Sequence, residues 1–268
     1  MTKSVALMQA AYDQIASDYD SQSEHLRDQQ RRLTAALALS PGLRCADLGA
    51  GTGLETVEML WKVTPGEVVA VDCSPGMLAA ARRRAEAAGL ALTTLEQEAE
   101  AFLHGSADAS FDVLSLRFCL GYLDWATVLP TLGRMLRPGG RVGILANLSS
   151  SAQQAYGTYR KMVSDLGLPD VPVTAPESRE QIERLLTDGG LEVTDSWTHT
   201  FRLWFASGAE MSRWLRASGL ATHAALTALP TAVVDALFGS FADRLEAHRE
   251  ADGLPLDFAV AGVVAMRR

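Results

Sequence analysis

The sequence feature that most constrains the fold is residues 45–53, CADLGAGTG, in which an apolar run ends in an aspartate and alternating glycines. Glycine adopts left-handed backbone conformations at little cost and lets the main chain come close to a ligand. In α/β proteins a loop of this kind follows a strand, and ligands bind at the carboxyl ends of the strands. The segment therefore predicts a strand, a ligand-binding loop and a helix that starts after Gly53.

Strand-like and helix-like patterns alternate around this loop. Predicted strands cover residues 44–48, 67–71, 91–96, 111–116 and 141–147, and predicted helices cover 54–62, 75–88 and 125–136. Strands that alternate with helices pair in parallel through right-handed crossovers. The first half of the chain therefore predicts an α/β fold with a doubly wound parallel sheet.

The remaining segments predict a helical cap. Helices are expected within residues 5–38 and at 178–188, 207–217 and 231–248, and strands at 191–203 and 256–266; residues 149–176 are rich in Ser, Gly and Pro around one short helix. We therefore expect an N-terminal helical lid at residues 1–40 and a sheet domain at 41–268. The cap insertions in that domain are expected at about 148–178 and 204–250.

The charge and the cysteine pattern exclude several classes of protein. A net charge of −8 opposes binding to nucleic acids or anionic membranes, and no apolar run is long enough for a signal peptide or a membrane span. The 3 cysteines have no C-x-x-C spacing, so neither a disulfide framework nor a zinc site is predicted. We expect a cytoplasmic monomer or homodimer without a metal, a nucleic-acid partner or a membrane partner.

The spacing of the glycines argues against a phosphate ligand. A mononucleotide loop needs a Gly-Lys pair, which the chain lacks, and a dinucleotide loop needs a glycine where Leu54 stands. The carboxylate of Asp47 beside the loop repels an anion and suits a ligand with a positive charge. S-adenosylmethionine, a sulfonium cation with an adenosine half, meets both conditions.

A second acidic residue supports this ligand. Asp72 follows the second predicted strand, at the place from which a carboxylate accepts hydrogen bonds from both ribose hydroxyls. The alternative interpretation of Asp47 and Asp72 is that each of them caps a helix.

These motifs resemble those of the class I S-adenosylmethionine-dependent methyltransferases over about residues 12–147. The resemblance is carried by YDxxAxxYD at 12–20, DLGAGTG at 47–53, DCSPGM at 72–77, EAE at 98–100, FDV at 111–113 and LRPGG at 136–140. It implies a Rossmann-like, seven-stranded, mostly parallel sheet whose final strand is antiparallel. The last third of the chain is similar to malonyl-carrier-protein methyltransferases, through FRLWF at 201–205 and PLDF at 255–258.

The resemblance also implies the contacts of the cofactor. The glycine loop faces the methionine part, Asp72 takes the ribose, and Met77 packs on the adenine. The expected cofactor-binding residues are Tyr12, Tyr19, Asp47, Gly49, Ala50, Gly51, Asp72, Cys73, Met77, Glu98, Ala99, Arg117 and Phe118. The turn at 137–140 has a structural role only, before the fifth strand.

Two of these expectations concern the N-terminal segment and Arg117. Residues before about Arg32 are expected to form a lid that is mobile without ligand, with Tyr19 near the reacting methyl group and Tyr12 near the methionine tail. Arg117 stands where relatives have a small polar residue near the amino group of the ligand. Its alternatives are to face an acidic substrate or to turn away to solvent.

Methyl transfer from a sulfonium mainly needs alignment in a dry pocket, and it needs a general base only if the nucleophile is protonated. The candidates for catalytic roles are His199, Tyr19 and Tyr122. His199 alternates with Trp197 and Phe201, so it is expected to point inward as a base or as a core histidine. Tyr122 either orients a substrate or fills the core, and Asn147 at the end of the fifth strand either bonds substrate or caps the next segment.

The cap is rich in aromatic residues that suggest a hydrophobic acceptor or simply a filled core: Trp197, Phe201, Trp204, Phe205 and Trp214. The sequence therefore predicts a methyltransferase that uses S-adenosylmethionine to methylate oxygen, nitrogen or carbon of a small molecule, in bacterial secondary metabolism. Three alternatives stay open. They are a sensor or cyclase that holds the cofactor without methyl transfer, a carboxyl methyltransferase of a malonyl-carrier protein, and a nicotinamide-dependent oxidoreductase.

Overall fold

The computed structural model describes residues 3–17, 19–22, 24–167, 174–219, 226 and 229–268. Its strands are β1 (Arg44–Leu48), β2 (Glu67–Asp72), β3 (Thr93–Glu96), β4 (Phe111–Arg117), β5 (Leu136–Asn147), β6 (Leu191–Phe205) and β7 (Leu254–Arg267). They form one seven-stranded sheet of order β3-β2-β1-β4-β5-β7-β6. The strands from β1 to β5 pair in parallel and β7 runs antiparallel to β5. The predicted doubly wound, mostly parallel α/β sheet is thereby confirmed.

The helices of the described residues are α1 (Lys3–Ile15), α2 (Arg27–Ala36), α3 (Leu54–Val63), α4 (Pro75–Ala87), α5 (Ala99–Gly105), α6 (Trp125–Val128), α7 (Leu132–Met135), α8 (Gln153–Asp165), α9 (Arg179–Asp188), α10 (Gly208–Ala217) and α11 (Thr231–Leu245). Helix α5 is an addition to the sequence prediction. The predicted helix 125–136 is divided, because Pro130 has no N–H to continue it and Leu129–Thr131 form a 3₁₀ turn between α6 and α7. No helix in the described part of the chain combines the length and apolar composition needed to span a bilayer.

Strand β5 starts earlier than its apolar pattern predicts. Leu136 pairs with Phe111 and Arg141 pairs with Val113, so the residues between Leu136 and Arg141 bulge out of the ladder. Gly139 takes a φ of +78° within this bulge, which few other residues adopt without strain. The turn at 137–140 therefore lies inside the strand and not before it, which corrects the prediction.

The chain divides into two units. The first, here called the helical unit, comprises Met1–Glu24, Ser150–Pro172 and Thr200–Ala259. Its core joins α8, α10 and α11 to the ends of β6 and β7 through apolar side chains such as Phe205, Leu215 and Phe241. The second, here called the sheet unit, comprises His25–Ser149, Val173–His199 and Val260–Arg268.

Helix α2 belongs to the sheet unit. Its Leu33 and the next residue after its end, Leu37, are buried, and a Cβ added at Gly143 of β5 would lie 2.9 Å from Leu37 and 3.1 Å from Leu33. The glycine thus allows the helix to lie directly on the strand. Residues 25–40 thus group with the sheet unit and residues 1–24 with the helical unit, and a lid at residues 1–40 stays a prediction.

Candidate functional site

The glycine loop follows β1 at the carboxyl end of the sheet. The N–H groups of Gly49 and Ala50 both donate to the carbonyl oxygen of Val71, at 2.8 and 3.1 Å. Gly53 then donates to the carbonyl of Ala50 and stands at the N-cap of α3. These bonds fix the loop against the end of β2 and direct the chain into the helix, as the motif predicts.

The three glycines of the loop share a left-handed conformation but differ in what surrounds them. Gly49, Gly51 and Gly53 have φ angles of +69°, +54° and +75°, in the left-handed region. A Cβ at Gly49 would lie 2.7 Å from Cβ of Cys119, and one at Gly53 would lie 2.6 Å from Cβ of Ala81 on α4. A Cβ at Gly51 meets no atom within 4 Å. Gly49 and Gly53 therefore allow close packing of the protein, whereas Gly51 borders open space.

The carboxylate of Asp72 joins the loop to the start of α4. Its Oδ2 accepts a hydrogen bond from the N–H of Gly51 at 2.8 Å, and its Oδ1 accepts one from the N–H of Ser74 at 2.9 Å. Helix α4 is capped by Ser74, whose Oγ accepts from the N–H of Met77 at 3.0 Å. Asp72 is thus not the cap of that helix, and it holds its carboxylate at the edge of the loop.

The second aspartate has a different environment. Asp47 is buried, and its Oδ2 accepts a 2.6 Å hydrogen bond from the hydroxyl of Thr56 on α3. Helix α3 has Gly53 at its N-cap and no side-chain cap bond. The capping interpretation therefore fails for Asp47 as well.

The other predicted cofactor residues lie around the same edge. Met77 is buried at the start of α4, whereas Cys73, Glu98 and Ala99 are partly exposed. The N–H of Gln97 donates to the carbonyl of Asp72 at 3.1 Å, which brings the start of α5 to the end of β2. The structure thus gathers these residues at one edge, and their contacts with adenine stay a prediction.

Arg117, the last residue of β4, has its side chain inside the protein. The guanidinium donates from Nε to Ser115, from Nη1 to both oxygens of Gln30, and from Nη2 to Thr34 and to the sulfur of Met59. These acceptors account for the full set of guanidinium N–H donors. The side chain fastens α2 to β4, so the alternative that it turns to solvent is wrong, and its donors do not support the predicted contact with cofactor.

Burial lowers the pKa of Arg117 from its ordinary value, and the carboxylates of Asp47, Glu55 and Glu58 act in the opposite direction. An arginine remains charged after such a shift, because its ordinary pKa lies far above neutrality. Arg117 therefore supplies a buried positive charge on the side of the sheet where α2 lies.

The chain turns sharply after Arg117. Phe118 has a φ of +55°, which is strained for a residue with a side chain, and its N–H donates to the carbonyl of Leu145 at 2.7 Å. The next residue, Cys119, donates its thiol to the carbonyl of Leu48 at 3.3 Å. Burial and the carboxylates of Asp47 and Asp72 raise the pKa of Cys119 to about 12, so the thiol stays protonated at neutral pH. This segment closes over Gly49 and carries no activated nucleophile.

The predicted catalytic residues belong to both units, with His199 and Tyr122 in the sheet unit and Tyr19 in the helical unit. His199 is partly buried on the face of β6 that also buries Trp197, as the alternation predicts. Tyr122 ends a 3₁₀ turn and is 37% exposed. Tyr12 and Tyr19 belong to the helical unit, where their rings meet edge to face with centroids 6.1 Å apart. A catalytic role for His199, Tyr19 or Tyr122 and a cofactor contact for Tyr12 stay predictions.

The aromatic side chains of β6 and α10 have separate roles. Trp197 belongs to the sheet unit, where its indole N–H donates to Gln29 at 2.8 Å and Arg32 lies over the ring at 4.0 Å. Phe201, Phe205 and Trp214 pack in the core of the helical unit, and Trp204 is exposed on the opposite face of β6. Filling of the core therefore accounts for most of this set.

Two functional residues were missed by the sequence reasoning. Ser74 caps α4, and the signal was present, since a serine before proline at the first helical position is a common helix start. Thr56 bonds Asp47, and no sequence signal marks it, because the contact depends on the fold of the loop. Within the described residues no group of acidic, histidine and cysteine side chains is arranged to hold a metal ion.

Known proteins are similar to this chain in sequence and in fold. Residues 45–140 match the family model described as a methyltransferase domain. A demethylmenaquinone methyltransferase of Thermus thermophilus is 39% identical over 142 residues, which cover 50% of this chain and 63% of that protein. One of Mycolicibacterium paratuberculosis is 32% identical over 168 residues, which cover 60% of this chain and 67% of that protein. The chain thus spans less than two thirds of the length of the Thermus relative.

Two further similarities bear on the predictions. A malonyl-[acyl-carrier protein] O-methyltransferase of Serratia marcescens is 30% identical over 148 residues, which cover 55% of each protein. The crystal structure of the YcgJ protein of Bacillus subtilis has a TM-score of 0.63 at 16% identity, and the match covers 90% of this chain and 99% of that one. The distant likeness to carrier-protein methyltransferases is therefore present, and the Rossmann-like fold agrees with the predicted one.

Proposed function

Because the chain belongs to the class I S-adenosylmethionine-dependent methyltransferases, we propose that it transfers a methyl group from S-adenosylmethionine to a small organic molecule. The observation that carries the proposal is the joint geometry of the loop and Asp72. The loop borders open space at Gly51, and the N–H of Gly51 is held by a carboxylate at the end of β2.

The donors and acceptors at this edge fit an adenosine with a cationic tail. An ionised carboxylate accepts up to about four hydrogen bonds, so the bonds to Gly51 and Ser74 are compatible with bonds from two ribose hydroxyls. The carboxylates of Asp47 and Asp72 flank the loop, and their negative charge opposes a phosphate and favours a cation. The site therefore suits a sulfonium ligand better than a nucleotide phosphate.

The cofactor supplies a methyl group that is already activated by its sulfonium centre. The chain's own contribution is then to hold the cofactor and to align the acceptor, which alone can provide much of the rate. The loop and Asp72 hold the methionine and ribose parts in this proposal. We assign no general base, and a catalytic role for His199, Tyr19 or Tyr122 stays a prediction.

For the acceptor we propose a small, largely apolar molecule, methylated on carbon, oxygen or nitrogen. The support comes from the relatives that are named for demethylmenaquinone, an apolar quinone. A place in bacterial secondary metabolism is part of the same proposal. The aromatic residues of the helical unit add little support, since they pack against one another in its core.

A second candidate is the methylation of a malonyl group on a carrier protein. The observation that favours it is the similarity to the Serratia enzyme. Carrier proteins are acidic, and a chain with a net charge of −8 offers them little electrostatic attraction. We therefore rank a free small molecule first.

Calorimetric titration with S-adenosylhomocysteine tests the cofactor, and mass spectrometry tests the transfer. We expect saturable binding and, with an acceptor, a product that is heavier by one CH₂ unit. Absence of binding refutes the proposal. Binding without any such product in a broad panel of acceptors favours a sensor or a cyclase instead.

A further inference from the structure

The side chain of Asn147 has a buried oxygen without a hydrogen bond. Asn147 is the last residue of β5, and its Oδ1 is enclosed by the protein with no donor in reach among the described residues. Buried amide oxygens are nearly always bonded, because an unbonded one loses its water and gains nothing in return. The exception therefore needs a physical reason, such as a ligand that supplies the donor.

Two polar side chains of the neighbouring strand on the same face of the sheet have hydrogen-bond partners. Side chains alternate along a strand, so Asn147 shares a face with Gly143 of β5, on which α2 lies. The neighbouring strand β4 carries Ser115 and Arg117, which bond to each other, and Arg117 also bonds to α2. On this face of the sheet the buried guanidinium of Arg117 has its hydrogen bonds, whereas the side-chain oxygen of Asn147 has none.

The position of β5 separates Asn147 from the predicted cofactor contacts. Those contacts lie on or after β1, β2, β3 and β4, and β5 is the next strand beyond β4 in the sheet. Neighbouring strands are about 4.8 Å apart, so the end of β5 lies roughly 10 Å from that of β1 and 14 Å from that of β2. Asn147 is therefore well separated from Asp72, the residue that is expected to bind the ribose.

We propose that Asn147 accepts a hydrogen bond from a hydroxyl or an N–H group of the methyl acceptor. This rests on the proposed function and makes Asn147 a residue that determines specificity. An amide oxygen is neutral and accepts one or two donors, so it selects acceptors that carry a neutral donor over analogues in which that donor is blocked. The acceptor is then an apolar molecule with at least one such group.

The test uses Asn147→Leu, which keeps the size of the side chain and removes the oxygen, and Asn147→Asp, which keeps an acceptor atom. Each protein is first titrated with S-adenosylhomocysteine. We expect dissociation constants within about twofold of wild type. If the wild type does not bind S-adenosylhomocysteine, the proposed function is refuted. If only the Leu variant fails to bind it, Asn147 is a cofactor residue and the inference is overturned.

The saturated proteins are then titrated with 1-naphthol, 1-naphthylamine and, as the blocked control, 1-methoxynaphthalene. We expect the wild type to bind naphthol or naphthylamine at least about tenfold more tightly than the control, the factor that one hydrogen bond supplies. The better of the two identifies a hydroxyl or an N–H as the donor. The preference should disappear in Asn147→Leu and persist in Asn147→Asp.

Three further results overturn the inference. The first is a wild type without any preference for the donor-bearing compounds, and the second is a preference that survives in Asn147→Leu. The third is a Leu variant that unfolds at clearly lower urea concentration than wild type, because such a loss means that Oδ1 already has a partner such as a bound water.

Discussion

The backbone N–H of Gly51 donates a 2.8 Å hydrogen bond to Oδ2 of Asp72, which lies 21 residues further along the chain. The other carboxylate oxygen of Asp72 holds the N–H of Ser74 at the start of α4. One side chain thus shapes the glycine loop, the turn into α4 and the edge at which a ligand is expected. A change at Asp72 should therefore affect both ligand affinity and the stability of the fold.

Asp72→Ala should weaken binding of S-adenosylhomocysteine by about 1–3 kcal/mol, because two buried hydroxyls lose a charged acceptor. It should also lower the free energy of unfolding by about 1–3 kcal/mol, since the N–H groups of Gly51 and Ser74 lose their partner. Calorimetry and urea denaturation measure the two effects. Asp188→Ala, at an exposed end of α9, is the matched control and should change neither. An unchanged dissociation constant in Asp72→Ala would show that the ribose lies elsewhere.

Alanine at two glycines of the loop should separate packing from ligand binding. Gly51→Ala places its methyl group in open space, so it should cost only about 1–2 kcal/mol of backbone strain and yet reduce cofactor affinity strongly. Gly53→Ala brings a methyl group to 2.6 Å from Ala81 and should destabilise the fold by a further 1–3 kcal/mol or so. Urea denaturation and calorimetry on both variants decide this. Equal stability of the two variants would contradict the packing assigned to Gly53.

Arg117→Lys should reduce stability and leave the cofactor site intact. A lysine has fewer donors and no fork, so it cannot replace the bonds to Gln30, Thr34 and Ser115. We expect a loss of about 2–4 kcal/mol in the free energy of unfolding, from the broken charge-assisted bonds. The dissociation constant of S-adenosylhomocysteine should stay within about twofold. A large loss of affinity in a folded variant would instead support the predicted role of Arg117 in cofactor binding.

The stability of the protein should fall above pH 9 because of Cys45. Burial, followed by the carboxylates of Asp112 and Asp47, raises the pKa of this thiol from 9.0 to about 12. Above pH 9 the unfolded chain releases the proton and the folded chain keeps it, so alkali favours the unfolded state. Cys45 contributes a slope of about 1.4 kcal/mol per pH unit between these two values, and Cys119, whose pKa is raised over the same range, adds a second slope of the same sign.

Urea denaturation between pH 8 and about pH 10.5 measures this slope. It should be shallower in Cys45→Ala than in wild type, even though the variant is less stable at every pH. Parallel slopes would mean that Cys45 does not titrate differently in the two states. Iodoacetamide at pH 8 provides a second check, since it should leave Cys45 of the native protein unmodified.

Hydrogen exchange should separate α1 from α2. We expect S-adenosylhomocysteine to slow exchange in residues 3–22, which we propose form the lid, because lids are among the least stable parts of a fold. Helix α2 should be protected with and without ligand, since Leu33 is buried on β5 and Arg117 holds Gln30 and Thr34. Equal protection of α1 in both states would make it a permanent scaffold.

The elements that sequence alone located well are those with a single dominant signal. Strand β1 was predicted at its observed bounds, because every residue from Cys45 to Leu48 is buried and a glycine loop follows. Helix α5 was overlooked, since only Phe102 and Leu103 of its seven residues are buried and no helical period is visible. Local pattern therefore suffices where burial is continuous and fails where an element is short and mostly exposed.

The site divides in the same way. The glycine loop and Asp72 each stand at the end of a strand that the sequence pattern locates. Their positions in the sequence therefore predict that both lie at the carboxyl edge of the sheet. The role of Arg117 depends on Gln30, which is 87 residues away, so no local pattern shows that its donors are used. The unbonded oxygen of Asn147 is likewise a property of the packed fold.

Helices α10 and α11 lie between β6 and β7 in the sequence, and β7 joins the sheet at β5 through a register that runs from Arg141 with Met266 to Asn147 with Val260. The connecting segment leaves from one strand of the sheet and returns to its neighbour. Such a segment can be lengthened, shortened or recombined during evolution while the register of β1, β2 and β4 is inherited unchanged. A segment of about fifty residues can therefore be exchanged in one piece without a change in the strands that carry the glycine loop.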